Sequence, residues 1–155
     1  MDEVLVRIAC SPYHFSKNGN LKKSVFRSPP RKDEVSVIRH RYVVADCCKM
    51  KGQLLSDPPA VSGNGQRKLY RGLAVLTAQH VRDAGSSVLD SRHVYPGHAD
   101  LVHGIVAPPA NEPLDAALAL QLDGILDGLL SRTIYYRDSD SEGDHWIDGE
   151  LKPKA

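Results

Sequence analysis

Residues 114–130 read LDAALALQLDGILDGLL, and this stretch decides the class of fold. Leu118, Leu122, Ile125 and Leu129 recur at the spacing of one helix face, and Leu126 and Leu130 widen the apolar stripe. Asp123 and Asp127 fall opposite it or at its border. Asn111 is placed to cap this helix, with Pro113 in its first turn. Gly124 and Gly128 each weaken the helix by about 1 kcal/mol relative to Ala. Glycines four apart also let another backbone come close. An amphipathic helix of this kind must bury its stripe against a sheet or a partner, and the rest of the chain supplies strands.

Upstream, residues 4–8 (VLVRI) alternate as a strand, and Asn18-Gly19-Asn20 is turn chemistry flanked by apolar residues. Residues 34–44 (EVSVIRHRYVV) are rich in β-branched residues. As a strand they put Val35, Val37, Arg39 and Arg41 on one face, and Ser36, Ile38 and His40 on the other. Residues 56–67 (SDPPAVSGNGQR) have loop composition. Residues 72–76 (GLAVL) read as a short buried strand. Thr77 then caps a short helix that ends near Ala84, with Gly85 as its stop. Residues 88–106 hold a histidine cluster and further strand, and 107–113 (APPANEP) form a rigid connector. The expected fold is α+β: a curved, mainly antiparallel sheet from the N-terminal half, a short helix near 77–84 and an amphipathic helix near 114–130. Residues 1–136 form one domain in this reading. Residues 137–155 form an acidic tail with the composition of a disordered segment, except for Trp146-Ile147, an aromatic–aliphatic pair of the kind that docks.

The net charge of +1 hides two opposite halves. Residues 1–82 carry 15 Lys+Arg against 6 Asp+Glu, and residues 83–155 carry 5 against 13. Such a split suggests a polyanionic partner for the basic half, or packing of the two halves against each other. No apolar run approaches the ~20 residues that span a bilayer, and the first residues, MDEVLVRIAC, lack a basic leader, so no membrane or secretory role is expected. Cys10, Cys47 and Cys48 form no C-x-x-C pair, which argues against a zinc ribbon and for a reducing cytoplasm. The chain has no G-x-S-x-G elbow, and Ser62-Gly63-Asn64-Gly65 lacks the ending of a phosphate-binding P-loop.

Three constellations have the residue types that chemistry needs. The first is residues 92–103 (RHVYPGHADLVH), where His93, His98 and His103 surround Asp100. If the loop folds back at Pro96-Gly97, these side chains offer ligands for a divalent metal such as zinc. The second uses His98 as an acid or base, Asp100 as its orienter and Arg39 as a phosphate clamp, the makings of a metal-independent nuclease or phosphotransfer site. The third is a basic segment, in which Lys17, Lys22, Lys23, Arg27, Arg31, Lys32, Arg39 and Arg41 are interleaved with Tyr13, Phe15, Phe26 and Tyr42. Cations beside aromatics suit nucleic acid, and an acidic protein partner would suit the same charges. With two phenylalanines in the chain, Phe15 and Phe26 are expected in the core.

The order His14-Phe15-Ser16-Lys17-Asn18-Gly19, Val25-Phe26-Arg27 with Pro30, Glu34-Val35-Ser36-Val37-Ile38-Arg39 and Pro96-Gly97-His98-Ala99-Asp100-Leu101 resembles a group of short bacterial proteins. These share an H-F-x-K-x-G, A-F-x-P, L-S-V-x-R and P-x-H-A-x-I succession. The resemblance covers residues 13–103, with Val25 where Ala is usual and Val35 in place of Leu. It implies a bacterial origin and singles out Phe26, Ser36, Arg39 and His98. It carries no mechanism, and it suggests an accessory subunit beside a larger protein partner. The leading reading is therefore a small bacterial binding or accessory subunit whose basic half contacts nucleic acid or an acidic protein. The His98 nuclease and the metal-binding enzyme subunit stand as alternatives.

Overall fold

The computed structural model describes residues 2–56 and 67–155. Six strands form one open sheet: β1 (Val4–Ser11), β2 (Glu34–Arg39), β3 (Leu69–Thr77), β4 (Ser87–Asp90), β5 (His98–Val102) and β6 (Ile134–Arg137). Their order is β4-β5-β2-β1-β3-β6, and every neighbouring pair is antiparallel. Three helices accompany them: α1 (Ala45–Leu54), α2 (Ala78–Asp83) and α3 (Ala116–Ser131). A 3₁₀ turn spans Lys23–Phe26. The architecture is α+β. Half of the strands come from beyond residue 82, so the sheet is not the work of the N-terminal half alone. Most of the expected loop at 56–67 lies outside the described residues.

Alternation along the strands sorts the apolar residues into two cores. On one face Leu5, Ala9, Val35, Val37, Leu76, Ala99 and Leu101 meet Val25 and Phe26 of the 3₁₀ turn and Leu122, Ile125, Leu126 and Leu129 of α3. Phe26 is fully buried and Phe15 packs at the edge of this core. Each fully buried aliphatic side chain contributes about 1.5–3 kcal/mol. Gly128 lets α3 press on α2, since a Cβ there would sit 3.1 Å from the Cβ of Ala84. Gly124 faces open space. Leu118 stays 42% exposed, so the stripe begins one turn later than its spacing suggests.

On the other face Val6, Ile38, Leu73 and Val75 meet Val43 and Cys48 from α1 and the segment before it, together with Leu151. The acidic tail is docked here. Trp146 lies edge-on to Tyr136, its backbone N–H donates to Asp46 Oδ1 at 2.7 Å, and Leu151 is buried. Lys49 and Asp138 form a fully buried ion pair at 3.2 Å. Lys49 Nζ also donates to the carbonyls of Asp140 and His145, and Tyr70 donates to Asp138 Oδ2 at 2.7 Å. Burial, and then this carboxylate, push the Tyr70 hydroxyl well above its usual pKa.

Local chemistry explains the helix ends. Thr77 Oγ1 accepts from His80 N–H, and His80 Nδ1 accepts from Thr77 N–H, a reciprocal cap for α2. Gly85, at φ +93, ends it. α3 is capped by Asp115, whose Oδ1 accepts from Ala117 and Leu118, and not by Asn111. Asn111 lies outside the helix at φ +69. β2 stops at Arg39, because Tyr42 N–H and Val43 N–H turn back to the carbonyls of Arg39 and His40. Arg41 therefore lies off the strand, and the expected pairing of Arg39 and Arg41 on one strand face does not form.

Candidate functional site

The interruption that builds a site lies between the two central strands. β1 pairs β3 over eight positions, but meets β2 only at Leu5–Arg39 and Val6–Ile38. Beyond Val6 the strands part, and Arg7 spans the gap. Its Nε donates to Val25 O at 2.8 Å and one terminal nitrogen donates to Ser36 O at 3.1 Å. The guanidinium thereby satisfies carbonyls at the parting. Burial lowers its pKa to about 10, which still leaves it cationic at neutral pH.

A cleft of about 380 Å³ opens over this parting. Its apolar wall includes Val6, Ile8, Ile38, Leu54 and Val94. Its polar members are Arg7, His14, Ser36, Lys51, Lys68, Tyr95 and His98. No Asp or Glu is among the described lining residues. Arg7, Lys51 and Lys68 make no ion pair with a carboxylate among the described residues. Lys51 Nζ sits 3.6 Å from the centre of the Tyr95 ring, which in turn lies edge-on to His98 at 5.0 Å. Cys10 also lines the cleft, and burial raises its thiol pKa, so it is a poor nucleophile.

The two histidines of the cleft carry their protons on opposite nitrogens. Ser91 follows β4 and faces His98 across the β4–β5 turn. Its Oγ donates to Asp100 Oδ2 at 2.8 Å and lies 2.7 Å from His98 Nδ1. A carboxylate only accepts and a hydroxyl has a single proton, so Nδ1 must donate to Ser91 and Nε2 carries the lone pair. That Nε2 meets no partner among the described residues, while His98 and Ser91 are 8% and 2% exposed. His14 is the reverse. Cys10 N–H donates to its Nδ1 at 2.9 Å, which leaves the proton on Nε2. Burial, followed by the charges of Arg7, Lys68 and Lys22, pushes His14 down to about 3 and keeps it neutral. The cleft thus holds one imidazole acceptor, one imidazole donor and three cations.

The other residues expected from the sequence lie elsewhere. Arg39 does not line the cleft: Glu3 holds it through two nitrogens and Asp90 through the third at 3.1 Å. Hydrogen bonding to Glu3 raises its pKa. Arg7, not Arg39, is the arginine that lines the cleft. The histidine cluster does not converge either. His103 is buried on the α3 side, with Nδ1 2.8 Å from Ser86 Oγ and Nε2 2.7 Å from Phe26 O. Burial lowers its pKa, and both ring nitrogens are spent on partners inside the fold. His93 is exposed. Among the described residues no group of three or more His, Cys, Asp or Glu is arranged to hold a metal.

In the basic segment, Lys23 is drawn to Asp123 and Asp127 of α3, at 3.6 and 3.3 Å, so part of the opposite charge is spent between the halves. Lys17, Lys22, Arg27, Arg31, Lys32 and Arg41 are exposed. Lys17 borders a second groove of about 890 Å³ with Arg71, Arg137, Phe15 and Tyr135. The loop after β1 separates the two cavities, giving Phe15 to the groove and His14 to the cleft. No helix among the described residues is long and apolar enough to cross a membrane. No protein-family model, curated protein or solved structure matches this chain, so its candidate site rests on its own geometry.

Proposed function

We propose that this chain is a small binding protein for single-stranded nucleic acid, and that the cleft between β1 and β2 receives one nucleotide unit. The observation that carries the reading is three cations, Arg7, Lys51 and Lys68, around a cleft with no described carboxylate. Such a site favours a dianion or a phosphodiester over a neutral ligand. The apolar wall of Val6, Ile8, Ile38, Leu54 and Val94 suits a base or a sugar, and Ser36 and His14 Nε2–H offer neutral hydrogen bonds beside it. All three cations belong to the basic half of the chain. The exposed cations of residues 17–41 and the groove of Lys17, Arg71 and Arg137 would carry the flanking phosphates.

The test is fluorescence anisotropy with a labelled single-stranded RNA across a salt series. Three phosphate contacts give a slope of log affinity against log salt of at least about −2. The Lys51→Ala, Lys68→Ala double variant should make that slope shallower by about 1.4. A slope near zero, or a double variant that binds as the native chain does, would end the reading. A second reading, an accessory subunit on a larger protein, is favoured by Leu118 and Leu120 of α3, which stand 42% and 76% exposed. Co-purification of one protein that survives nuclease treatment, and is lost in Leu120→Asp, is its test.

A further inference from the structure

We propose that the cleft is also catalytic, cleaving single-stranded RNA without a metal ion, with His98 Nε2 as the general base. This inference rests on the nucleic-acid reading above and assigns a reaction to the same site. The argument begins with the chain of hydrogen bonds from Asp100 to Ser91 to His98. A histidine buried for packing alone needs only one satisfied nitrogen and no fixed tautomer. Here a carboxylate, acting through a hydroxyl, fixes the proton on Nδ1 and leaves the basic lone pair at the cleft. When Nε2 takes a proton, the imidazolium keeps its Nδ1–H bond to Ser91, and the charge of Asp100 lies one hydroxyl away. Ser91 is thus a positioning residue, and His98 is the group that meets the substrate.

The surroundings select the nucleophile. The described lining has no carboxylate, the ligand type that holds a hard divalent cation. Without such an ion, attack on a phosphodiester benefits most from a nucleophile already tethered beside phosphorus. The 2′-hydroxyl of RNA is that group. In the proposed step His98 Nε2 takes the 2′-hydroxyl proton, the 2′-oxygen bonds to phosphorus, and the bond from phosphorus to the 5′-oxygen breaks. The leaving 5′-oxygen takes a proton from the Lys51 ammonium. The products are a 2′,3′-cyclic phosphate and a 5′-hydroxyl. His98 then gives its proton to solvent and Lys51 regains one, so the site is restored and no oxidant, reductant or water is consumed. Arg7 and Lys68 face the charge that develops on the phosphoryl oxygens, and His14 Nε2–H adds a neutral donor.

The experiment uses the full chain with end-labelled single-stranded RNA and the all-deoxy oligonucleotide of the same sequence, both in excess EDTA. The expected result is binding of both strands, cleavage of RNA alone, and fragments ending in 2′,3′-cyclic phosphate. His98→Gln, checked for a native melting curve, should cleave RNA at least about 100-fold more slowly than the native chain at saturating protein. Binding without cleavage would overturn the catalytic inference and leave the binding reading intact, whereas loss of both would remove the two together. Cleavage of the deoxy strand would overturn the tethered nucleophile. Undiminished cleavage by His98→Gln would overturn the role of His98. The native-chain comparison of RNA with DNA needs no variant, so the inference stays testable if His98→Gln fails to fold.

Discussion

The two faces of the sheet are built by different rules. The α3 face is a continuous apolar core in which Leu122, Ile125, Leu126 and Leu129 close over Leu5, Val37 and Leu101. The α1 face mixes a smaller apolar core with a fully buried ion pair, a docked acidic tail and the open cleft. The difference shows where the chain places its polar groups. One face supplies the rigid body, and the other carries side chains whose protons and charges are held in fixed places. The parting of β1 and β2 is the structural cause, because an unpaired stretch in mid-sheet gives a ligand both backbone and side-chain access.

The comparison is sharpest where each face can be broken alone. Lys49→Met on the α1 face leaves Asp138 buried without its cation, and should cost about 3–5 kcal/mol in chemical denaturation. Leu126→Ala should cost about 2–5 kcal/mol on the α3 face and leave oligonucleotide affinity unchanged. A fall in affinity equal to the loss at the cleft would erase the distinction between the faces. The Lys51→Ala, Lys68→Ala pair should do the opposite, lowering affinity at least tenfold, about 1.4 kcal/mol, with little change in melting.

Acid should act through both faces. Burial depresses the pKa of His14 to about 3, so it is neutral when folded and protonated when unfolded below about pH 6.5, and burial lowers His103 in the same direction. The unfolded chain then binds more protons, and stability falls as pH drops from about 6.5 towards 3. The slope approaches about 1.4 kcal/mol per pH unit from His14, and His103 adds to it with the same sign. Melting curves of native protein and His14→Asn across this range should show a shallower acid loss in the variant. The smallest effect is expected at Thr77→Ala, which removes one half of a reciprocal cap and should cost about 1 kcal/mol without altering binding.

Much of the α3 face was legible in the sequence, because its signals are local. The leucine spacing of 114–130, the Thr77 cap and the alternation of Val35 and Val37 each depend on neighbours a few residues away. The α1 face was harder to read. α1 itself, ADCCKMKGQL, carries no clear apolar stripe, and β6 is four residues long and sits where the chain turns acidic. The tail reads as a solvated segment because its acids are visible in the sequence, whereas their partner Lys49 is 89 residues away. The site was half legible. His98 and Asp100 stood out as a histidine and a carboxylate two apart on a strand. Ser91 did not, because its place is set by the β4–β5 register. Arg7 left one signal, a cation in the apolar run VLVRI, and His14 another, within the H-F-x-K-x-G element. Arg39 reads as a free cation in the sequence because its partners Glu3 and Asp90 lie 36 and 51 residues away.

The most direct measurement is an NMR titration of the histidine ring signals with single-stranded RNA. On this account the His98 and His14 resonances move together along one binding curve, and His103, sealed between Ser86 and Phe26, stays still. If RNA binds while His98 and His14 do not move, the cleft between β1 and β2 is not the binding site and the account is wrong.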